Sequence, residues 1–446
     1  MTDSLVVPED TIRTTVGDVA LPRMGIVEQV WETDPIPAEE IESRAVTAAE
    51  SLDFSGIPDG GEIAIGAGSR GIANLGTIVR GVVAGVREQG YQPFVFPAMG
   101  SHGGATAEGQ REKLNTLGVS EETVGCEIRA TMEVETVGET PERGVPVYAD
   151  ANAVAADGIV MVNRIKPHTD FGGEVESGLS KMLVIGMGKQ RGAKMAHDWA
   201  VDWSLRNMLP EIAEQLLETL PVAGGVAVVE DEHDDTTLIE GVPASGFLKR
   251  ERELLETAYE RMPTLPFDEM DVLVVDRIGK DVSGQGMDTN VTGRRHFTIN
   301  EPEPESPDVK RIYLRGLTAK TKGNAMGMGQ ADFAHRDVKA GLDWSKALIN
   351  AITASTVRGV RLPPVVENDR AGLLGALGTI GPVAGDEARV LRVTDTMRLE
   401  RCYASEPLVE TARERSDLRV IAEPEAVEFD DAGNFAAPSP HGANGD

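Results

Sequence analysis

The stretch Asn163 to Asp198, NRIKPHTDFGGEVESGLSKMLVIGMGKQRGAKMAHD, holds two histidines, His168 and His197, and four of the chain's 12 lysines, Lys166, Lys181, Lys189 and Lys194. Elsewhere the sequence avoids lysine, with 31 arginines in all and no lysine before Lys113. A local gathering of the rarer cation points to at least one position that needs an amine rather than a positive charge. Lys181, in SGLSKMLVIGMG, is followed by apolar residues. An ammonium there is costly unless it is paired, deprotonated or used covalently, or unless its stem covers apolar surface while the charge reaches water.

Two further histidine contexts resemble each other. His102 stands in AMGSHGG, at the end of the strand expected from QPFVFPAMG, and His168 stands in RIKPHTD, just past the strand expected from DGIVMVN. Active sites of α/β folds form at strand carboxyl ends, so the pair suits general acid/base work from opposite sides of a substrate. His197, in KMAHDW, is a candidate metal ligand; with His102 and His168 it would make a three-histidine zinc site, a second reading. GAGSRG, residues 66–71, follows an apolar strand and precedes a helix, the context of a dinucleotide fingerprint. The next strand ends without the acidic residue that would hold an adenosine ribose. An NAD(P)-dependent dehydrogenase is therefore the alternative enzyme, and a non-catalytic metal or nucleotide binder the alternative without chemistry. The turn's backbone N–H groups suit phosphate in any case, with Arg70 as an anion contact or a local ion pair. A second glycine-rich loop, residues 276–295, carries Lys280, Arg294 and Arg295, enough cation to clamp a carboxylate or phosphate.

These residues need an α/β scaffold. Apolar runs at 62–68, 92–100, 157–163 and 224–231 alternate with amphipathic segments at 72–90, 106–117 and 199–220, the last broken or restarted at Pro210. The order predicts a mainly parallel sheet covered by helices. A proline-marked connection near 255–269 ends this domain. Strands at 270–276, 310–317, 388–394 and 419–429 and one long helix at 332–356 predict a second, smaller one. The expectation is two α/β domains, 1–265 and 266–430, with an active-site cleft between them and a disordered tail at 431–446.

Composition narrows the partners. A formal charge of −30, from 73 acidic and 43 basic side chains, repels nucleic acid and anionic membranes. Dispersed acid with few lysines resembles the solvated surface of proteins from salt-saturated, halophilic cytoplasm. Cys126 and Cys402 cannot build a disulfide framework, and neither a secretory signal nor a stretch of ~20 apolar residues is evident. A soluble cytoplasmic protein is expected.

Taken in order, GSR with Arg70, SHGG with His102, KPH with His168, SGLSK with Lys181 and AH with His197 resemble the lactate racemase family, over roughly Gly66 to Gly286. The resemblance implies a nickel-pincer nucleotide, pyridinium-3-thioamide-5-thiocarboxylic acid mononucleotide, joined through a thioamide to Lys181. His197 would be the protein's ligand to nickel, with Gly68 and Ser69 beside the cofactor. His102 and His168 would be the acid/base pair, and Arg70 and Lys280 the substrate contacts. It further implies an isomerase, a 2-hydroxyacid racemase or epimerase working by proton-coupled hydride transfer, and host proteins that synthesise the cofactor. The chain departs from the family at Ala67, where an aspartate is usual, and in GGEVESGLSK, which adds Glu174 and Glu176. Those departures point away from lactate itself, toward a larger 2-hydroxy acid such as a sugar acid or dicarboxylate, or toward epimerisation rather than racemisation.

Overall fold

Apolar runs without polar alternation become central parallel strands, buried on both faces. EIAIGA, QPFVFP, GIVMVNR and VAGGVAVVE do so as Glu62–Ala67, Gln92–Pro97, Gly158–Arg164 and Val222–Glu230. The computed structural model describes residues 5–68, 71–296 and 298–441. The chain divides into two α/β units, one Thr33–Met262 and the other Met1–Glu32 with Pro263–Asp446.

In the Thr33–Met262 unit the strand order is Gln92–Pro97, Glu62–Ala67, Gly158–Arg164, Val222–Glu230, all parallel, then Thr236–Pro243 antiparallel at the edge. Alternate residues feed two cores. Ile63, Ile65, Val160 and Val162 pack with the helices Ile41–Glu50 and Leu75–Glu88 on one face. Phe94, Phe96, Met161 and Val229 pack with Leu205–Thr219 and Phe247–Glu260 on the other. The expected break at Pro210 falls elsewhere. Helix Lys189–Trp203 stops at Ser204, whose φ of 64° no helix accommodates and whose side chain caps Arg206 N at 3.1 Å, and Pro210 lies inside the helix that follows.

The other unit has a nine-stranded sheet. Six strands run parallel in the order Val6–Val7, Val365–Val366, Phe333–His335, Asp308–Leu314, Glu269–Val275, Val390–Val393, and Arg401–Ser405, Arg23–Gln29 and Leu418–Ala426 complete it antiparallel. The described residues before Thr33 therefore fold with those after Met262, because Arg23–Gln29 finds its hydrogen-bond partners near residues 401–426. The expected boundaries at 1–265 and 266–430 miss this. The long helix expected at 332–356 divides into the strand Phe333–His335 and the helices Arg336–Gly341 and Trp344–Thr353, the last begun by Asp343 accepting from Lys346 N.

The described part of the expected disordered tail is packed. Phe435 N donates to Asp369 at 2.9 Å, its ring stacks on Phe429, and the Arg392 guanidinium lies 4.6 Å over it. Phe435 joins a buried charge network in which Arg315 bridges Asp276 and Asp369 while Arg392 pairs with Asp276. Among the described residues no helix is long and apolar enough to cross a membrane.

Candidate active site

Parallel strands leave their carboxyl ends on one edge, where the following loops converge. In the Thr33–Met262 unit that edge gathers Gly68, the loop to His102 and the loop to His168. Glu62–Ala67 is hydrogen-bonded on its two sides to the strands that lead to His102 and His168, so the histidine loops flank the Gly68 turn. Both histidines are partly buried. Ser69 and Arg70 lie outside the described residues.

The Lys181 segment is seated on all three strand ends. Gly178 O accepts from Asn163 Nδ2 at 2.9 Å, and Gly186 O accepts from Gly100 N at 3.0 Å. At Gly68 a Cβ would come within 2.7 Å of Asn163 Oδ1 and 3.2 Å of Met182 Cε, so glycine permits the approach. Lys181 closes the single turn Leu179–Lys181, and Met182–Gly186 continues as a π-helix, a widened turn often found at functional sites. The lysine is partly buried. Its Nζ lies 6.0 Å from the centre of the Phe171 ring, on which His168 stacks at 4.6 Å.

His197 belongs to the helix Lys189–Trp203. The start of that helix turns to the His102 loop. Lys189 Nζ donates to Pro97 O, and Ala193 Cβ lies 3.6 Å from where a Gly100 Cβ would stand. His197 follows one turn later and is partly exposed.

Sequence reasoning passed over the buried groups that hold these loops. Lys189 is fully buried, and its Nζ also reaches Gln110 Oε1 at 3.1 Å and Asp150 Oδ2 at 2.8 Å. Burial lowers the amine's pKa and raises that of Asp150, while their mutual attraction opposes both shifts. Gln110 Nε2 in turn donates to Gly100 O at 2.8 Å, so one amine ties the His197 helix to the His102 loop. Glu176, 2% exposed, accepts from His168 N at 2.5 Å, Gly173 N at 3.0 Å and the Tyr259 hydroxyl at 2.9 Å. Glu174 pairs with Arg252. The two added glutamates are thus engaged in the scaffold and say nothing of substrate size.

Glu251, wholly buried on Phe247–Glu260, accepts from Ser180 N at 2.9 Å and from Ser180 Oγ. Burial pushes its carboxyl up to about 7, with the Ser180 hydrogen bonds pulling the other way. A Cβ at Gly178 would stand 2.0 Å from Glu251 Oε1, which accounts for the glycine opening GLSK. Glu230 pairs with Arg164 and accepts from Ala73 N at 2.6 Å, fixing the far end of the Gly68 turn. The signal for Glu251 was present in the sequence: it sits on the apolar stripe of Phe247, Leu254, Leu255 and Ala258. A carboxyl on such a stripe must be paired or neutral.

His168 has a defined hydrogen-bonding state. Asp170 N donates to His168 Nδ1 at 3.0 Å, so the neutral ring carries its proton on Nε2.

Lys280 belongs to the other unit, where it is exposed and donates from Nζ to Gly284 O at 2.5 Å. Arg294 donates to Gln330 O, Asp332, Val309 O and Lys310 O, and Arg295, 3% exposed, to Asn290 Oδ1. These two guanidiniums knit their own unit's loops, contrary to the expected anion clamp. The three-histidine zinc reading also fails: among the described residues no group of three or more His, Cys, Asp or Glu is placed to hold a metal ion. GAGSRG departs from the dinucleotide fingerprint. Gly66 lies within the strand, its Cβ position taken up by Met161 and Phe96 at 2.9 Å, and the helix begins only at Leu75. A cavity of about 690 Å³ is lined by Gly173, Arg206, Arg252 and Tyr259 among others, and by none of the predicted site residues.

No protein-family model and no curated protein matches the chain. Among solved structures it is similar to a Thermotoga maritima protein, at 13% identity and a TM-score of 0.45 over 76% of this chain and 89% of that one. It is also similar to the lactate racemase apoprotein of Thermoanaerobacterium thermosaccharolyticum, at 13% identity and a TM-score of 0.42 over 84% of this chain and 89% of that one. Neither likeness bears on chemistry, which rests on the residues themselves.

Proposed function

We propose that the chain is a racemase or epimerase of a 2-hydroxy acid that works with a nickel-pincer nucleotide. The reading is supported above all by the seating of the Lys181 turn on the strand ends that lead to His102 and His168, with His197 on the next helix, whose Lys189 and Ala193 pack at the His102 loop. The residues fit such a group. Lys181 offers a partly buried amine for a thioamide link, the bare backbone at Gly68 leaves room for close approach, and His197 offers one imidazole, enough where the cofactor supplies most ligands. The group would accept the substrate's α-hydrogen with its electron pair and give it back.

The chain's share is binding and proton transfer. One histidine removes the hydroxyl proton, leaving a planar 2-keto acid; when that acid turns its other face, the second histidine returns a proton to oxygen and the carbon is inverted. The histidine that takes the proton starts as a neutral ring and the one that returns it starts doubly protonated, so His102 and His168 exchange roles with the direction of the reaction. Ser69 is the proposed cofactor contact and Arg70 the proposed carboxylate contact. Proteins that make the nucleotide are the implied partners, with the cytoplasm as the site of work.

The test is a panel of single-enantiomer 2-hydroxy acids, followed by chiral chromatography on protein loaded in a host that makes the cofactor. Interconversion of at least one acid is expected, falling by roughly 100-fold or more in His102→Asn and His168→Asn. In D2O the product should keep its own α-hydrogen. Solvent deuterium at the α-carbon would refute hydride transfer.

A further inference from the structure

Helix Trp344–Thr353 is anchored to its unit by buried Ala347 and Ala351. Its other apolar residues face outward: Trp344, Leu348, Ile349 and Ile352 are 51, 43, 66 and 61% exposed, and Val357 just beyond is 55% exposed. Their helical spacing gathers the four on one arc. Single apolar residues on a surface are ordinary, but a contiguous group marks a contact face. The surroundings are equally unusual for this chain. Residues 344–360, WSKALINAITASTVRGV, contain none of the 73 acidic side chains and carry Lys346 and Arg358.

We infer that this face docks a second copy of the chain, helix against helix about a two-fold axis. Area is the first argument. The five side chains leave on the order of 500 Å² exposed, so a self-complementary pair removes roughly 1,000 Å², the lower bound of a specific interface even before its rim is counted. A helix of 10 residues is about 15 Å long, and antiparallel pairing lays one whole arc on the other, with Leu348 and Ile349 of both copies near the axis and Trp344 of each toward the far end of the other. Charge is the second argument. Two bodies of −30 repel wherever their carboxylates meet, and a segment with no carboxylate of its own, with Asp343 at its edge paired to Lys346 at 3.1 Å, is where a copy approaches at least cost. Salt screens the remaining repulsion, so association tightens as ionic strength rises.

Size-exclusion chromatography with light scattering on the full chain, in low and in molar potassium chloride, tests this. Wild type should be dimeric in molar salt, and Ile349→Glu with Ile352→Glu should raise the dissociation constant at least 100-fold and give monomer. Both positions are exposed, so circular dichroism and Tm should match wild type. A wild-type monomer at both salts would overturn the inference and leave the face to a partner of another sequence. A dimer indifferent to the double substitution would overturn it as well.

Discussion

Replacing Glu251 with glutamine removes one titration from the interior of the Thr33–Met262 unit while keeping an oxygen for Ser180 N and Oγ. The folded carboxyl sits near 7 against an ordinary 4.5, because burial disfavours its charged form. Between those values the folded chain holds a proton that the unfolded chain has released. The group's contribution to stability is therefore complete below the unfolded pKa and lost as pH rises through the folded one. A gap of about 2.5 units corresponds to about 3 kcal/mol. Wild type should lose that amount between about pH 5 and pH 8 through this residue, and Glu251→Gln none of it. Urea unfolding at stepped pH and fixed salt, read as the difference between the two proteins, isolates the effect, since every other titrating group moves both alike. The variant should match wild type near pH 5 and exceed it by about 3 kcal/mol near pH 8. A difference that stays constant across that range would refute the reasoning.

Lys189→Met should destabilise the unit by about 3 to 5 kcal/mol, because it leaves Asp150 buried and uncompensated. Adding Asp150→Asn should recover a good part of the lost Tm, and a double variant no better than the single would contradict the pairing. Glu176→Ala frees His168 N, Gly173 N and the Tyr259 hydroxyl together, so kcat of the loaded enzyme should fall roughly 10- to 100-fold with a smaller change in KM. Glu176→Gln should restore part of it. Full activity in Glu176→Ala would show that the loop needs no such clamp.

The parallel strands and the histidine contexts were legible because both depend on local pattern: apolar runs of strand length, and histidines in glycine-flanked loops where those runs stop. What escaped was non-local. Arg23–Gln29 carries too short an alternation to be read alone, and only its pairing with strands near residues 401–426 assigns it to its unit. Phe435 looks like tail composition until Asp369, Arg315 and Arg392 are seen around it. Arg294 and Arg295 looked like a clamp because sequence displays charge and hides the acceptors that satisfy it. The lysine cluster was the most informative feature and was half read. Lys181 drew notice for the apolar residues after it, whereas Lys189, eight residues later, proves to be the buried amine with three acceptors.

Intact mass and nickel content are the most direct measurement of the central claim, made on wild type, Lys181→Ala and His197→Ala from cells that synthesise the nucleotide. The account predicts a covalent adduct on wild type and His197→Ala, none on Lys181→Ala, and nickel retained by wild type alone. Wild type free of adduct and nickel, from cells in which a control racemase is loaded, would contradict it.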